Sequence, residues 1–291
     1  MRRIEESELI INEDGSVFHL HLKPEQIADT VLLVGDPGRV EMITAYFDNV
    51  EFSVANREFV TATGTFKGKR ITVLSTGIGT DNIDIVVTEL DALVNIDFET
   101  RIEKSTHTTL NLIRLGTSGS IQPEIPIGTF VASHISIGFD GLLNYYANRD
   151  NISLLDIENA FVEHMNWYKK LPVPYFVAAS EKLVKLFEDS TVEGMTVSAP
   201  GFYGPQGRVL RLPLWKADQN DLIEKFEYQG KKITNFEMEG SAIAGLSRLL
   251  GHEAITICTI IANRTDKTAL VDYKHNVRKM VEMTLEKILK L

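Results

Sequence analysis

Leu112-Ile113-Arg114-Leu115-Gly116-Thr117-Ser118-Gly119-Ser120-Ile121-Gln122 decides how the chain is read. It begins as an apolar run suited to a buried strand, carries an arginine near its end, and passes into a turn punctuated by Gly116 and Gly119. A buried arginine is costly unless it meets an anion. A glycine turn with two hydroxyl residues can offer backbone N–H and O–H donors to that same anion. Phosphate is the natural candidate, and a surface ion pair beside an ordinary strand-to-helix turn is the alternative.

Working outward, residues 31–34 form a short apolar run of the kind buried on both faces of a sheet, followed by Gly35-Asp36-Pro37-Gly38 and an amphipathic run from Arg39. Strand, glycine turn and helix start make an anion-binding arrangement. The dinucleotide and P-loop spacings are absent, and Asp36 and Arg39 could serve only as helix caps. Residues 58–65 and 70–76 predict two strands joined by a lysine-containing turn, and Ser75-Thr76-Gly77-Ile78-Gly79 precedes a helical stripe. Residues 128–132 and 253–262 predict further strands, and a terminal helix starts near Lys274. Val17 to Leu22 alternates, which puts His19 and His21 on one face if extended; no third ligand lies nearby, so no metal site is expected. The polar 95–111 segment reads as an excursion, and 148–174, with Trp167 and Tyr168, resists assignment.

Two later stretches carry chemistry. Phe202-Tyr203-Gly204-Pro205-Gln206-Gly207-Arg208 is a loop bearing an aromatic, an amide and a guanidinium, groups that stack on and hydrogen-bond to a heterocyclic base. Thr234-Asn235-Phe236-Glu237-Met238-Glu239-Gly240-Ser241-Ala242 takes a strand into a helix with two carboxylates bracketing a methionine. Those carboxylates could act as acid and base, bind sugar hydroxyls, or simply favour the helix dipole.

The 291 residues are 44% hydrophobic and 24% charged, with no linker, repeat or low-complexity tract, so one α/β domain spanning 1–291 is expected. A formal net charge of -10 argues against nucleic acid or an anionic membrane as the main partner. The lone Cys258 sits in an apolar run and reads as core. No run of apolar residues is long enough for a membrane span, and a cytoplasmic location is expected.

Taken in order, these pieces resemble the purine nucleoside and uridine phosphorylase family, most closely its uridine branch. The resemblance implies a single α/β domain with a twisted, partly barrel-like central mixed sheet flanked by helices, assembled as homodimers that can build a hexamer. It implies a phosphate site of Gly35, Arg39, Arg114 and Thr117, with Arg57 reaching over from a neighbouring subunit. Ribose would be held by Glu239 and Met238, with Glu237 nearby and His19 again from the partner. The base would lie near Phe202 and be read by Gln206 and Arg208. Arg114, Glu239, Gln206 and Arg208 would carry the chemistry.

The reaction implied is reversible phosphorolysis of uridine to uracil and ribose 1-phosphate. Arginine forks would hold the phosphate and aim an oxygen at the anomeric carbon, and Gln206 and Arg208 would take up charge on the departing base. No metal or organic cofactor is implied, phosphate being a co-substrate. Thr80-Asp81-Asn82 departs from the small and hydroxyl residues with which relatives hold a monovalent cation at a subunit contact. The purine branch carries an aspartate after its last core strand, where this chain reads Asn263-Arg264-Thr265, so uridine is favoured over purine nucleosides. A purine phosphorylase, a hydrolytic nucleosidase and a non-catalytic nucleoside-binding module are the competing readings.

Overall fold

The computed structural model describes residues 2–291. Its strands and helices follow in the order β1 (Thr30–Val34), α1 (Gly38–Thr44), β2 (Asn49–Asn56), β3 (Phe59–Phe66), β4 (Lys69–Ser75) and α2 (Thr80–Asn95). Next come β5 (Ile96–Asp97), β6 (Ile102–Glu103), β7 (Asn111–Ser120), β8 (Phe130–Gly138), α3 (Leu155–Met165), β9 (Tyr175–Ala178) and α4 (Glu181–Phe187). The chain finishes with β10 (Val192–Ser198), α5 (Gln219–Lys225), β11 (Glu227–Tyr228), β12 (Lys231–Glu237), α6 (Gly240–Leu249), β13 (Glu253–Asn263), β14 (Thr268–Ala269) and α7 (Lys274–Ile288).

Strands β12, β10, β8, β13 and β7 pair in that order, and β12 returns to pair with β7, which closes a five-stranded mixed barrel. β1, β4, β3 and β2 extend the sheet outward from β7. The fold is therefore the mixed α/β, partly barrel-like architecture expected. β7 sits at the junction, held by β1 and β13 in parallel and by β12 antiparallel.

Alternation along β7 sorts its side chains into two layers. Leu112 joins Leu90, Ile243 and Leu246 in the layer beneath α2 and α6. Ile113 and Leu115 join Val277, Val281 and Leu285 beneath α7. Arg114, two residues from Leu112, is thereby carried on the α6 side. A third cluster packs Ile157 and Phe161 of α3 against Ile223 of α5 and the adjoining Phe226, so the unassigned 148–174 region contains a packed helix with its own core.

Three expectations need correcting. Residues 116–119 are not a turn: Gly116, Thr117, Ser118 and Gly119 pair with Cys258, Thr259, Ile260 and Ala262 of β13 inside a continuous strand. Gly116 serves a close approach instead, because a Cβ there would stand 2.0 Å from Nη1 of Arg114 and 2.9 Å from Sγ of Cys258. Val17 to Leu22 is not extended; it turns, with His21 at φ 52°. Finally, β2 is a strand that no local pattern predicts, because this edge strand is largely exposed and lacks an apolar run.

Candidate active site

A cleft of about 1130 Å3 opens where the ends of β1, β7, β12 and β13 meet the loop after β10. Gly35 and Arg39 enter it from the β1–α1 corner, Arg114 and Thr117 from β7, and Glu237, Met238 and Glu239 from the β12–α6 junction. Phe202, Gln206 and Arg208 form the opposite wall with Asn263 and Arg264.

At one end Arg114 is buried between two carboxylates. Its Nη2 donates to Oε2 of Glu239, and Nη1 lies 3.3 Å from Oε2 of Glu237 and 3.5 Å from Sγ of Cys258. Burial works against the guanidinium charge, but Glu239 and Glu237 outweigh it and raise the pKa of Arg114, which stays protonated. Burial raises the pKa of Glu239, with Glu237 adding to the effect and Arg114 and the Gly79 N–H opposing it. The Cys258 thiol is pushed up to about 12 by burial and is inert, as its apolar setting implied. Arg39, also buried, donates one hydrogen bond, 3.4 Å to the carbonyl of Leu115.

The two glutamates are not equivalent. Glu237 accepts from the backbone N–H groups of Glu239 and Gly240 at 2.9 Å each, and from the Ser198 hydroxyl. It is a helix-start anchor for α6, where the dipole favours negative charge. Glu239 accepts from the N–H of Gly79 at 2.8 Å and from Arg114. Its carboxylate is the less committed of the pair and the one suited to accept from a ligand.

The other end is built from guanidiniums around one amide. Arg208 stacks on the Phe202 ring with Cζ 3.7 Å from its centroid, and its Nη1 donates to Oε1 of Gln206 at 2.6 Å. Arg264 donates from Nη2 to that same Oε1 at 2.7 Å and from Nη1 to the Gln206 carbonyl. Its guanidinium also lies 4.7 Å from the Phe236 ring centroid. Burial and the neighbouring Arg208 lower the pKa of Arg264 to about 10.

The model of the phosphorylase superfamily matches residues 29–291. The chain belongs to the phosphorylase superfamily. Its relatives include the uridine phosphorylase of Thermococcus kodakarensis, 29% identical over 87% of this chain and 79% of the relative. A DeoD-type purine nucleoside phosphorylase of Colwellia psychrerythraea is 28% identical over 93% of this chain and 98% of its own. Among solved structures, a Trypanosoma brucei nucleoside phosphorylase described as showing uridine phosphorylase activity superposes with a TM-score of 0.88 at 29% identity, covering 97% of this chain and 100% of that one. The protein is an enzyme of nucleoside phosphorylase type, a pentosyltransferase.

Against that family background, two expected residues stand outside the cleft of their own chain. Arg57 lies exposed at the β2–β3 turn with φ 54°. His19 is half-buried, with Nδ1 2.6 Å from Oε1 of Glu89, which also accepts the His19 and Leu20 N–H groups. Neither lines the cavity that gathers the others.

Sequence reasoning passed over Ser198, the Gly79 N–H and Arg264. The first two are visible only once distant strands converge. Arg264 did carry a signal, an arginine directly after a long apolar strand, the same feature that singles out Arg114.

Proposed function

We propose that this phosphorylase acts on uridine, cleaving it with phosphate to uracil and ribose 1-phosphate, reversibly and with inversion at the anomeric carbon. The observation that carries the choice of base is the pair of guanidiniums set around the Gln206 amide. Two guanidiniums donate to its Oε1, and Gln206, Arg208 and Arg264 line the cleft together, two charged donors beside one amide. Uracil would present its two carbonyl oxygens to the guanidinium and amide donors and its N3–H to the Gln206 oxygen, the one acceptor in the group. Cytosine would set an amino group against donors, and mismatched buried polar groups discriminate by roughly 10⁴-fold.

The carboxylates lining the cleft support the same choice. They are Asp36, Glu58, Glu237 and Glu239, and none comes from the 202–208 or 261–270 segments that flank the base end. Asp266 is not among them, and the Asn263 amide donates away to the carbonyls of Gln122 and Ile125. A purine leaving group, which gains from an acid near its ring nitrogen, would find none.

Phosphate is assigned to the space between Gly35, Arg39, Arg114 and Thr117. Guanidinium forks there would orient it and shield its charge, and orientation supplies much of the acceleration. As the glycosidic bond lengthens, positive charge grows on the ribose and negative charge on the base. The phosphate anion stabilises the first, and the donors around Gln206 stabilise the second. Glu239, with Met238 against the sugar, would accept from the ribose hydroxyls, and the Arg114 charge beside it opposes the rise in its pKa that burial brings. A hydrolytic reading has no use for Arg39 and Arg114 at one end of the cleft. No metal or organic cofactor enters this scheme.

His19 and Arg57 are assigned to the site of a second copy of the chain, which makes the working unit at least a homodimer. Their place outside their own cleft supports this. A reducing cytoplasm suits an enzyme whose one cysteine is buried beside the catalytic arginine.

The test is uracil release from uridine by the purified protein with and without phosphate, beside inosine and cytidine. Phosphate-dependent release from uridine alone is expected. Release without phosphate would replace the reading with a nucleosidase, inosine cleavage with a purine phosphorylase, and no turnover with a nucleoside-binding module.

A further inference from the structure

Asp140 stands just beyond β8, outside the nucleoside cleft, yet it is the terminus of a continuous hydrogen-bond chain that ends at the carboxylates within it. Its carboxylate accepts from the Tyr175 hydroxyl at 2.9 Å, from the Ser241 hydroxyl at 2.9 Å and from the Leu142 N–H at 2.8 Å. Ser241 is the second residue of α6, and its N–H donates to Oγ of Ser198 at 2.8 Å. The Ser198 hydroxyl then donates to Glu237, which receives the N–H groups of Glu239 and Gly240. Four strand ends and one helix start are thereby tied together.

The chain is built deliberately into the packing. Tyr175 is wholly buried, and its ring occupies the space a Cβ would take at Gly138, with a nearest approach of 2.1 Å. Ser198 and Ser241 are also fully buried. Buried polar groups of this kind are stable only when every member is satisfied, and a satisfied network holds one arrangement. Here the arrangement held is the first turn of α6, where the backbone of Glu239 sets the direction of its side chain.

We propose that Asp140 is a positioning residue for Glu239, acting through Ser241, Ser198 and Glu237 to fix the ribose-binding carboxylate. The inference rests on the assignment of Glu239 to the ribose. Burial raises the Asp140 pKa, and the three donors around it oppose that rise, which is the balance expected of an acceptor at the end of a closed network. An asparagine at 140 would retain the volume but turn an NH2 group toward hydroxyls that now donate to it. The first turn of α6 would then shift, and a misplacement of that order costs roughly 10-fold to 100-fold in turnover.

The test is a double-mutant cycle on phosphorolysis with Asp140→Asn, Glu239→Gln and the pair, read as kcat and KM for uridine and for 2'-deoxyuridine. The expected result is a roughly 10-fold to 100-fold fall in kcat for uridine in Asp140→Asn, with the KM for phosphate unchanged. In the Glu239→Gln background the same change should cost almost nothing further. Additive losses, or a wild-type kcat in Asp140→Asn, would overturn the proposal while leaving the uridine assignment intact. A wild-type enzyme that releases no base from any nucleoside would overturn both. Should Asp140→Asn fail to fold, Tyr175→Phe removes one donor from the same carboxylate, and the same non-additivity with Glu239→Gln is required of it.

Discussion

The two ends of the cleft are built differently. The end proposed for phosphate and ribose is assembled from barrel strands and a helix start. Arg114 and Glu239 are each about 95% or more withdrawn from solvent, at 5% and 3% exposure, and backbone N–H groups hold the carboxylates in place. The end proposed for the base is built on a loop, where Phe202 is 50% exposed and Gln206 is held by a few side-chain contacts from Arg208 and Arg264. The difference teaches where this family can change. On the proposed assignment, the groups for the reaction chemistry are welded to the core, whereas those for base choice sit on a loop that can be rebuilt without disturbing the barrel. Relatives on both the uridine and the purine side at similar identity are what such a division allows.

The comparison breaks most sharply at Arg114. Arg114→Ala should abolish phosphate-dependent turnover, because removing one partner from a buried charge cluster typically costs about 3–5 kcal/mol. Thermal melting should fall as well, since Glu237 and Glu239 would face each other without a cation between them. Phosphate dependence unchanged in this variant would detach Arg114 from the site.

Gly116→Ala tests the same end without touching a charge. A Cβ at 2.0 Å from Nη1 must push the guanidinium aside, and kcat/KM for phosphate should fall by about 100-fold. The variant should remain folded, which a melting curve would establish. Normal phosphate kinetics would show that the slot over Gly116 is not what orients the arginine.

At the base end the expected effects are smaller and of another kind. Arg264→Met should leave phosphorolysis in place but free the Gln206 amide to turn, at a cost of about 1–3 kcal/mol in discrimination. The readout is the ratio of kcat/KM for uridine to that for cytidine, which should fall while the KM for phosphate holds. A fall in phosphate affinity instead would mean that the two ends are not separable.

The mildest test is pH. Burial, Glu237 adding, raises the Glu239 pKa, so acid protonates it before an exposed glutamate. Uridine binding measured without phosphate should therefore weaken on acidification, with a midpoint above the ordinary carboxylate range. Stability should move the other way. A carboxyl whose folded pKa lies above its unfolded value contributes stability below the unfolded pKa and loses it as pH rises through the folded pKa. Glu239 should thus weaken binding at low pH without driving acid unfolding. Glu239→Gln should remove the pH step in binding.

Much of the framework was legible because it is written in local patterns. The run from Leu112 to Leu115 and the run from Ala254 to Ile261 are buried on both faces, and such strands read as unbroken apolar stretches. The catalytic candidates on them were legible for the complementary reason, since a charged residue in such a run has to be accounted for. Arg264 meets the same criterion, since it directly follows the long apolar run of β13. β2 escaped because an exposed edge strand does not need an apolar pattern.

What the sequence determined by itself is the alternation of buried strands with amphipathic helices and the supply of charged groups at strand ends, because burial and periodicity act over a few residues. Only the tertiary structure decided that Gly116 to Gly119 continue a strand rather than turn. It alone made Glu237 an anchor and left Glu239 facing the cleft. It also set Arg264 and Arg208 on one amide. These outcomes depend on which distant strands close the barrel, and the contacts that decide them, Ser198 to Glu237, Gly79 to Glu239 and Arg264 to Gln206, join residues far apart in the chain and leave no local trace.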